Sequence, residues 1–144
     1  MLKKTIAMLA VLLSAGMAHA NPMAEFLGSD RPVIIFAPST FDKRMLDQIG
    51  RFSGHRREYR DRDIAVIQIG GVNMRSNGRA VPHAPEMRAL YGVGNDEFAI
   101  ILVGKDGQEK LRRNEVTDPR VLYDLIDTMP LRQQEIERQR EVNG

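Results

Sequence analysis

Two apolar runs constrain this chain more than any other feature. Pro32 to Ala37 (PVIIFA) and Ile64 to Gly70 (IAVIQIG) are short, rich in branched side chains and bounded by turn residues. Both read as strands, and the first is continuous enough to be buried on both faces of a sheet. Between them Met45, Leu46, Ile49, Phe52 and Tyr59 recur at helical spacing. Ser39 or Thr40 is the predicted N-cap of that helix, with Asp42 in its first turn. A strand, a helix and a second strand make a parallel pair.

The second half follows a different plan. FAIILVG, a turn at Asp106-Gly107 and EKLRR read as an antiparallel hairpin. Before it PEMRALYGV predicts a short helix closed by Gly92; after it Asp118-Pro119 opens the helix PRVLYDLIDTM, which Pro130 is expected to end. GVNMRSNGRAVPHAP, with Gly71, Gly78, Pro82 and Pro85, reads as a long loop, and long loops in compact domains are often functional. The expected fold class is α/β: a thioredoxin-like βαβαββα arrangement with a four-stranded mixed sheet, plus a C-terminal helical tail. Residues 31–130 form the domain, 21–30 a short lead and 131–144 a polar helical tail without a long apolar face.

Residues 1–20, MLKKTIAMLAVLLSAGMAHA, have a basic start at Lys3 and Lys4, an apolar centre and an Ala18-His19-Ala20 end. They predict a cleaved secretory signal peptide, a mature chain starting at Asn21, and a periplasmic or secreted protein without a membrane anchor after cleavage. The apolar run is well short of the roughly 20 residues that span a bilayer. Losing Lys3 and Lys4 reduces the 21 basic residues to 19, against 19 acidic ones. A neutral mature chain gives no reason to expect a nucleic-acid partner. There is no cysteine, so thiol redox chemistry, a thiolate nucleophile and cysteine-ligated metal are excluded.

ILVGKDGQEKLR (Ile101 to Arg112) and LIDTMPLRQQE (Leu125 to Glu135), together with RPVIIFAPS near the start, resemble the signatures of the DUF4174 family, a domain of unknown function. The family occurs in exported bacterial proteins and in vertebrate extracellular proteins of the sushi-repeat and equarin-like group. The resemblance implies a thioredoxin-like, peroxiredoxin-related fold without an established catalytic activity. It marks Asp106, Gly107, Pro130 and Arg132 as signature residues with structural roles, Arg132 locking the last helix turn and the tail through backbone carbonyls. Placed on the thioredoxin turn WAPWC, FAPST puts Thr40 at the position of the nucleophilic cysteine and Lys43 at that of its partner. The proline before the third core strand is replaced by Glu97 and Phe98, so inherited oxidoreductase activity is not expected.

The strand-to-helix turn and the long loop supply the candidate site. Unpaired first amides and a positive helix end can hold an anion beside Ser39, Thr40 and Lys43, and Arg75, Arg79 and His83 add donors from the loop; a capped helix and a solvated loop are the plain alternatives. The favoured reading is a non-catalytic module that binds a small anionic ligand or an unknown protein, without cofactor or metal. The alternative is a non-thiol enzyme with Thr40 as nucleophile and His83 as base in the same crevice, assisted by Lys43 and Arg79. Apart from the leader's histidine, His55 and His83 are the only histidines, and no metal-ligand spacing joins them.

Overall fold

The structure, a computed structural model, describes residues 21–76 and 81–144. The predicted leader and Arg79 lie outside the described residues. A five-stranded mixed sheet, ordered β3-β2-β1-β4-β5, carries helices on both faces. β1 (Arg31–Ala37) and β2 (Ile64–Gly70) are parallel and in register from Arg31 opposite Ile64 to Ala37 opposite Gly70. β1 also pairs antiparallel with β4 (Ala99–Val103), which turns into β5 (Glu109–Arg113).

The fifth strand is the departure from the expected four. β3 (Asn73–Arg75), inside the predicted loop, folds back antiparallel on β2 with Gly70 opposite Asn73. Its residues carry no strand signal of their own; Gly71, at φ +60°, makes the reversal that brings them onto the edge. The hairpin is as expected, with Gly107 at φ +79° in its turn.

The sheet is buried on both sides because its two most central strands are apolar throughout Pro32 to Ala37 and Ala99 to Val103. Val33, Ile35, Ile100 and Leu102 face α1 (Lys43–Ser53) and α4 (Pro119–Asp127). Ile34, Phe36, Ile67, Ile69 and Ile101 face α3 (Ala84–Tyr91) and the lead. The lead is therefore part of the core: a short 3-10 helix, Ala24–Phe26, buries Met23 and Phe26, and the Gly28 amide donates to the Lys105 carbonyl at 2.8 Å.

Three helix boundaries depart from expectation. The first predicted helix breaks at Gly54 into α1 and α2 (Arg56–Asp61), glycine being a poor interior helix residue. Asp42, not Ser39 or Thr40, caps α1 by accepting the Arg44 amide at 2.9 Å. Pro130 does not terminate α4, which stops at Asp127; it is the first residue of α5 (Pro130–Asn143), where its missing N–H costs nothing. Asp118 caps α4 as predicted.

Charges, not an apolar face, fix α5 to the domain. The signature residue Arg132, 3% exposed, donates to the Asp61 carbonyl at 2.9 Å, the Asp61 carboxylate at 2.6 Å and Asp127 at 3.2 Å. The carbonyl it satisfies thus belongs to the end of α2, where helix carbonyls lack partners, and not to the end of α4. Glu135 accepts from Arg31 and from Lys105, and Lys105 also reaches Asp63 at 2.8 Å. Signature residue Asp106 accepts the Gln108 amide at 3.0 Å and the Lys110 ammonium at 2.6 Å, shaping the hairpin turn.

Candidate functional site: a groove between the first helix and the sheet edge

The FAPST turn is held from within. Ser39 Oγ accepts the Phe41 amide at 3.1 Å, the Ser39 carbonyl accepts the Asp42 amide at 3.1 Å, and α1 starts one residue later. Asp42 then takes the Arg44 amide and, through both carboxylate oxygens, the Arg44 guanidinium at 3.0 and 2.9 Å. The Arg44 side-chain bond holds the Asp42 carboxyl below its ordinary range. The positive end of α1 therefore already faces a carboxylate of the chain itself.

Two contacts fix the turn against the sheet. A Cβ on Gly70 would lie 2.4 Å from the Thr40 backbone nitrogen, so β2 passes the turn at a distance only glycine permits. Below it, Arg88 of α3, 5% exposed, donates to the carbonyls of Ala37 and Gly94, both at 2.7 Å. Its guanidinium lies 5.7 Å from the centre of the Phe36 ring. Burial lowers the pKa of Arg88, partly offset by Glu97. The sequence reading missed this residue. The available signal was its place on the buried face of α3 with Ala84 and Met87, a spacing normally held by apolar residues.

α1 covers the centre of its sheet face and leaves the β2–β3 edge open. The result is a groove of about 720 Å³. Leu46, Ile49 and Phe52 of α1 form one wall; Val66 and Gln68 form the floor; Asn73 and Arg75 of β3 form the outer rim. Thr40 and Phe41 close one end, and Tyr59 and Arg56 of α2 line the region after the helix break. Phe41 and Leu46 are 85% and 53% exposed, so their apolar surface is available to a ligand.

Of the polar groups lining the groove, Ser53 donates to the Gly50 carbonyl at 2.7 Å, while Arg56, Gln68 and Arg75 have no side-chain partner among the described residues. On α1, Arg44 and Arg51 are matched by Asp42 and Asp47. Arg56 and Arg75 form no ion pair among the described residues. The Gln68 amide, half-buried between Ile67 and Ile69, makes no side-chain hydrogen bond among them either. An apolar trough with a few convergent polar groups is the usual form of a small-ligand or peptide site.

Of the six predicted site residues Arg79 lies outside the described residues, and the other five are divided by this geometry. Thr40 and Arg75 line the groove together. Ser39 is used inside the turn, and Lys43 is exposed at the start of α1 outside the groove lining. His83 precedes α3, which packs on the other face of the sheet. It does not line the groove, and no hydrogen bond joins it to Thr40 among the described residues. His55 precedes α2 and rests its ring against Tyr123, with centroids 5.8 Å apart. The groove wall and floor, Leu46, Ile49, Phe52 and Gln68, were not singled out beforehand, because they read as ordinary core and strand positions.

Comparison with known proteins agrees with this architecture. Among solved structures the chain is similar to thioredoxin peroxidase I of Plasmodium yoelii, with a TM-score of 0.56 and 14% identity, covering 78% of this chain and 79% of that one. It is also similar to P. yoelii Prx1a modified at the N-terminus, with a TM-score of 0.54 and 16% identity over 78% and 80% of the two chains. These likenesses establish a thioredoxin-like fold. Among curated proteins it is similar to the sushi repeat-containing protein SRPX of rat, 27% identical over 124 residues, and of human, 29% identical over 125 residues. The matches cover 82% and 83% of this chain but only 27% of each relative, so the chain spans about a quarter of their length. The model of the domain of unknown function DUF4174 matches residues 22–135, and the chain belongs to that family.

Proposed function

We propose that this chain is an exported, non-catalytic binding module whose ligand lies in the groove between α1 and the β2–β3 edge. The reading departs from an anion site at the start of α1 because Asp42 occupies that position. Arg75 remains in the site, now with Arg56 and an apolar wall beside it. The ligand class is an apolar body bearing negative charge. The observation that carries the reading is the pairing of exposed apolar wall residues with two arginines that have no carboxylate partner among the described residues. Burying that wall supplies affinity at about 25 cal/mol per Å² before ordering costs, and the arginines select the sign of the ligand.

Export rests on the leader pattern of residues 1–20; no helix of the described residues is long and apolar enough to cross a membrane. The intact mass of protein recovered from cells expressing the full chain should correspond to a start at Asn21. For the groove, an amide-shift titration of that protein with 8-anilinonaphthalene-1-sulfonate, an apolar probe with one sulfonate, should move Thr40, Leu46, Ile49, Gln68 and Arg75. Perturbations restricted to the α3 face, or none at all, count against the reading.

A further inference from the structure

Resting on that reading, we propose that the groove takes an extended, acidic segment of a partner polypeptide, which pairs with β3 as an added strand and seats an apolar side chain against α1. The groove alone leaves its occupant open. The sheet edge beside it does not.

β3 ends the sheet, and its outer edge pairs with no described strand. Its alternating side chains divide between two surroundings: Met74 packs on the core beneath α3, while Asn73 and Arg75 line the groove. A strand laid beside β3 would place alternate side chains over the trough, since successive side chains point to opposite faces. Strand addition of this kind takes affinity from main-chain hydrogen bonds and specificity from the pockets under alternate residues. The Gln68 amide on the floor, without a side-chain hydrogen bond among the described residues, can meet a further polar group of such a segment.

Charge argues for an acidic segment. Edge strands are normally protected by charged side chains, and the two edges of this sheet differ in how their charges are satisfied. On β5, three of the four charged residues are paired, Glu109 with Arg112 at 2.8 Å and Lys110 with Asp106 at 2.6 Å, and Arg113 donates to the Arg112 carbonyl. On the β3 side Arg75, and Arg56 across the groove, have no carboxylate among the described residues. A neutral or basic strand would leave both cations uncompensated. A segment with carboxylates flanking an apolar residue would pair both.

A random dodecapeptide display library panned against immobilised full-chain product tests this directly. Recovered sequences should be enriched in Asp and Glu around an apolar residue. A synthetic peptide of that consensus should shift the amides of residues 73–75 as well as the α1 wall. Arg56→Ala and Arg75→Ala remove exposed side chains without described partners and should leave the fold intact. Each should weaken the consensus peptide about two- to fivefold, the scale of an exposed ion pair. Selection of basic or charge-neutral peptides overturns the proposal, as does binding that leaves the 73–75 amides unmoved. If the naphthalenesulfonate probe maps to the groove but no peptide is selected, the polypeptide occupant is wrong and the groove reading stands. If the probe also misses the groove, both fall.

Discussion

Glu135 accepts both terminal guanidinium nitrogens of Arg31, at 3.1 and 3.0 Å, across a sequence separation of 104 residues. Arg31 is 1% exposed and begins the central strand; Glu135 lies in α5. The pair turns the polar C-terminal helix into a fixed part of the domain. Glu135→Gln removes the charge at constant size and leaves Arg31 buried without its anion. It should cost about 3 kcal/mol, the scale for breaking a buried pair from one side, read as a lower midpoint in urea unfolding.

The same cluster sets a dependence on acid. Burial opposes ionisation of Glu135 most strongly, but the bonds from Arg31 and Lys105 outweigh it, and its pKa falls below 4.5. Asp127 behaves alike: burial raises its pKa, but the bonds from Arg62 and Arg132 outweigh it and hold the carboxyl below its ordinary value. Groups depressed in the folded state contribute stability that is complete above their unfolded values and lost as pH falls through the folded ones. Unfolding free energy should therefore be flat from neutral pH down to about 5 with respect to these two groups, then fall below the ordinary carboxylate range. Glu135→Gln should flatten that decline.

Gly70→Ala places a methyl carbon where the Thr40 backbone nitrogen lies 2.4 Å away. Backbone must move to admit it. A loss of about 2 kcal/mol is expected, the middle of the range for overpacking, with amide-shift changes concentrated in residues 38–42. Gly50→Ala, with nothing within 4 Å of the added carbon, should instead be neutral or stabilising, since alanine is the better helix former.

Arg88→Met keeps the apolar stem but removes both guanidinium donors, leaving the Ala37 and Gly94 carbonyls with only the Gly71 and Glu97 amides. About 2 kcal/mol should be lost, the scale for hydrogen bonds made by a charged group. Arg88→Lys should recover only part of this, because a single ammonium lacks the guanidinium fork that spans the two carbonyls. Thermal unfolding of the three proteins provides the ranking.

How much of this was legible in the sequence depends on the range of the interaction involved. β1 and β2 were readable because fully buried strands need apolar residues at every position, as PVIIFA supplies. The hairpin and α4 were readable because Asp106-Gly107 and Asp118-Pro119 act within a few residues. β3 was not readable: Asn73, Met74 and Arg75 form a strand only because Gly71 returns them to β2. The cap of α1 lies two residues beyond Thr40 and three beyond Ser39, since Ser39 spends its hydroxyl inside the turn and leaves the amide of Arg44 to Asp42. Arg31 and Glu135 looked like solvated charges, and nothing local links residues so far apart. Of the candidate site, Thr40 and Arg75 were identified, but the groove that joins them is assembled from α1, α2, β2 and β3 and exists only once the fold has formed.

The most direct test of the binding role is the fluorescence-measured affinity of 8-anilinonaphthalene-1-sulfonate for the native protein and for Leu46→Asp, a change at a half-exposed position on the groove wall. With the unfolding midpoint of the variant as a check on its fold, the account predicts at least about a tenfold loss of affinity from placing a carboxylate where apolar surface receives an anion. Equal affinity in the two folded proteins would contradict it.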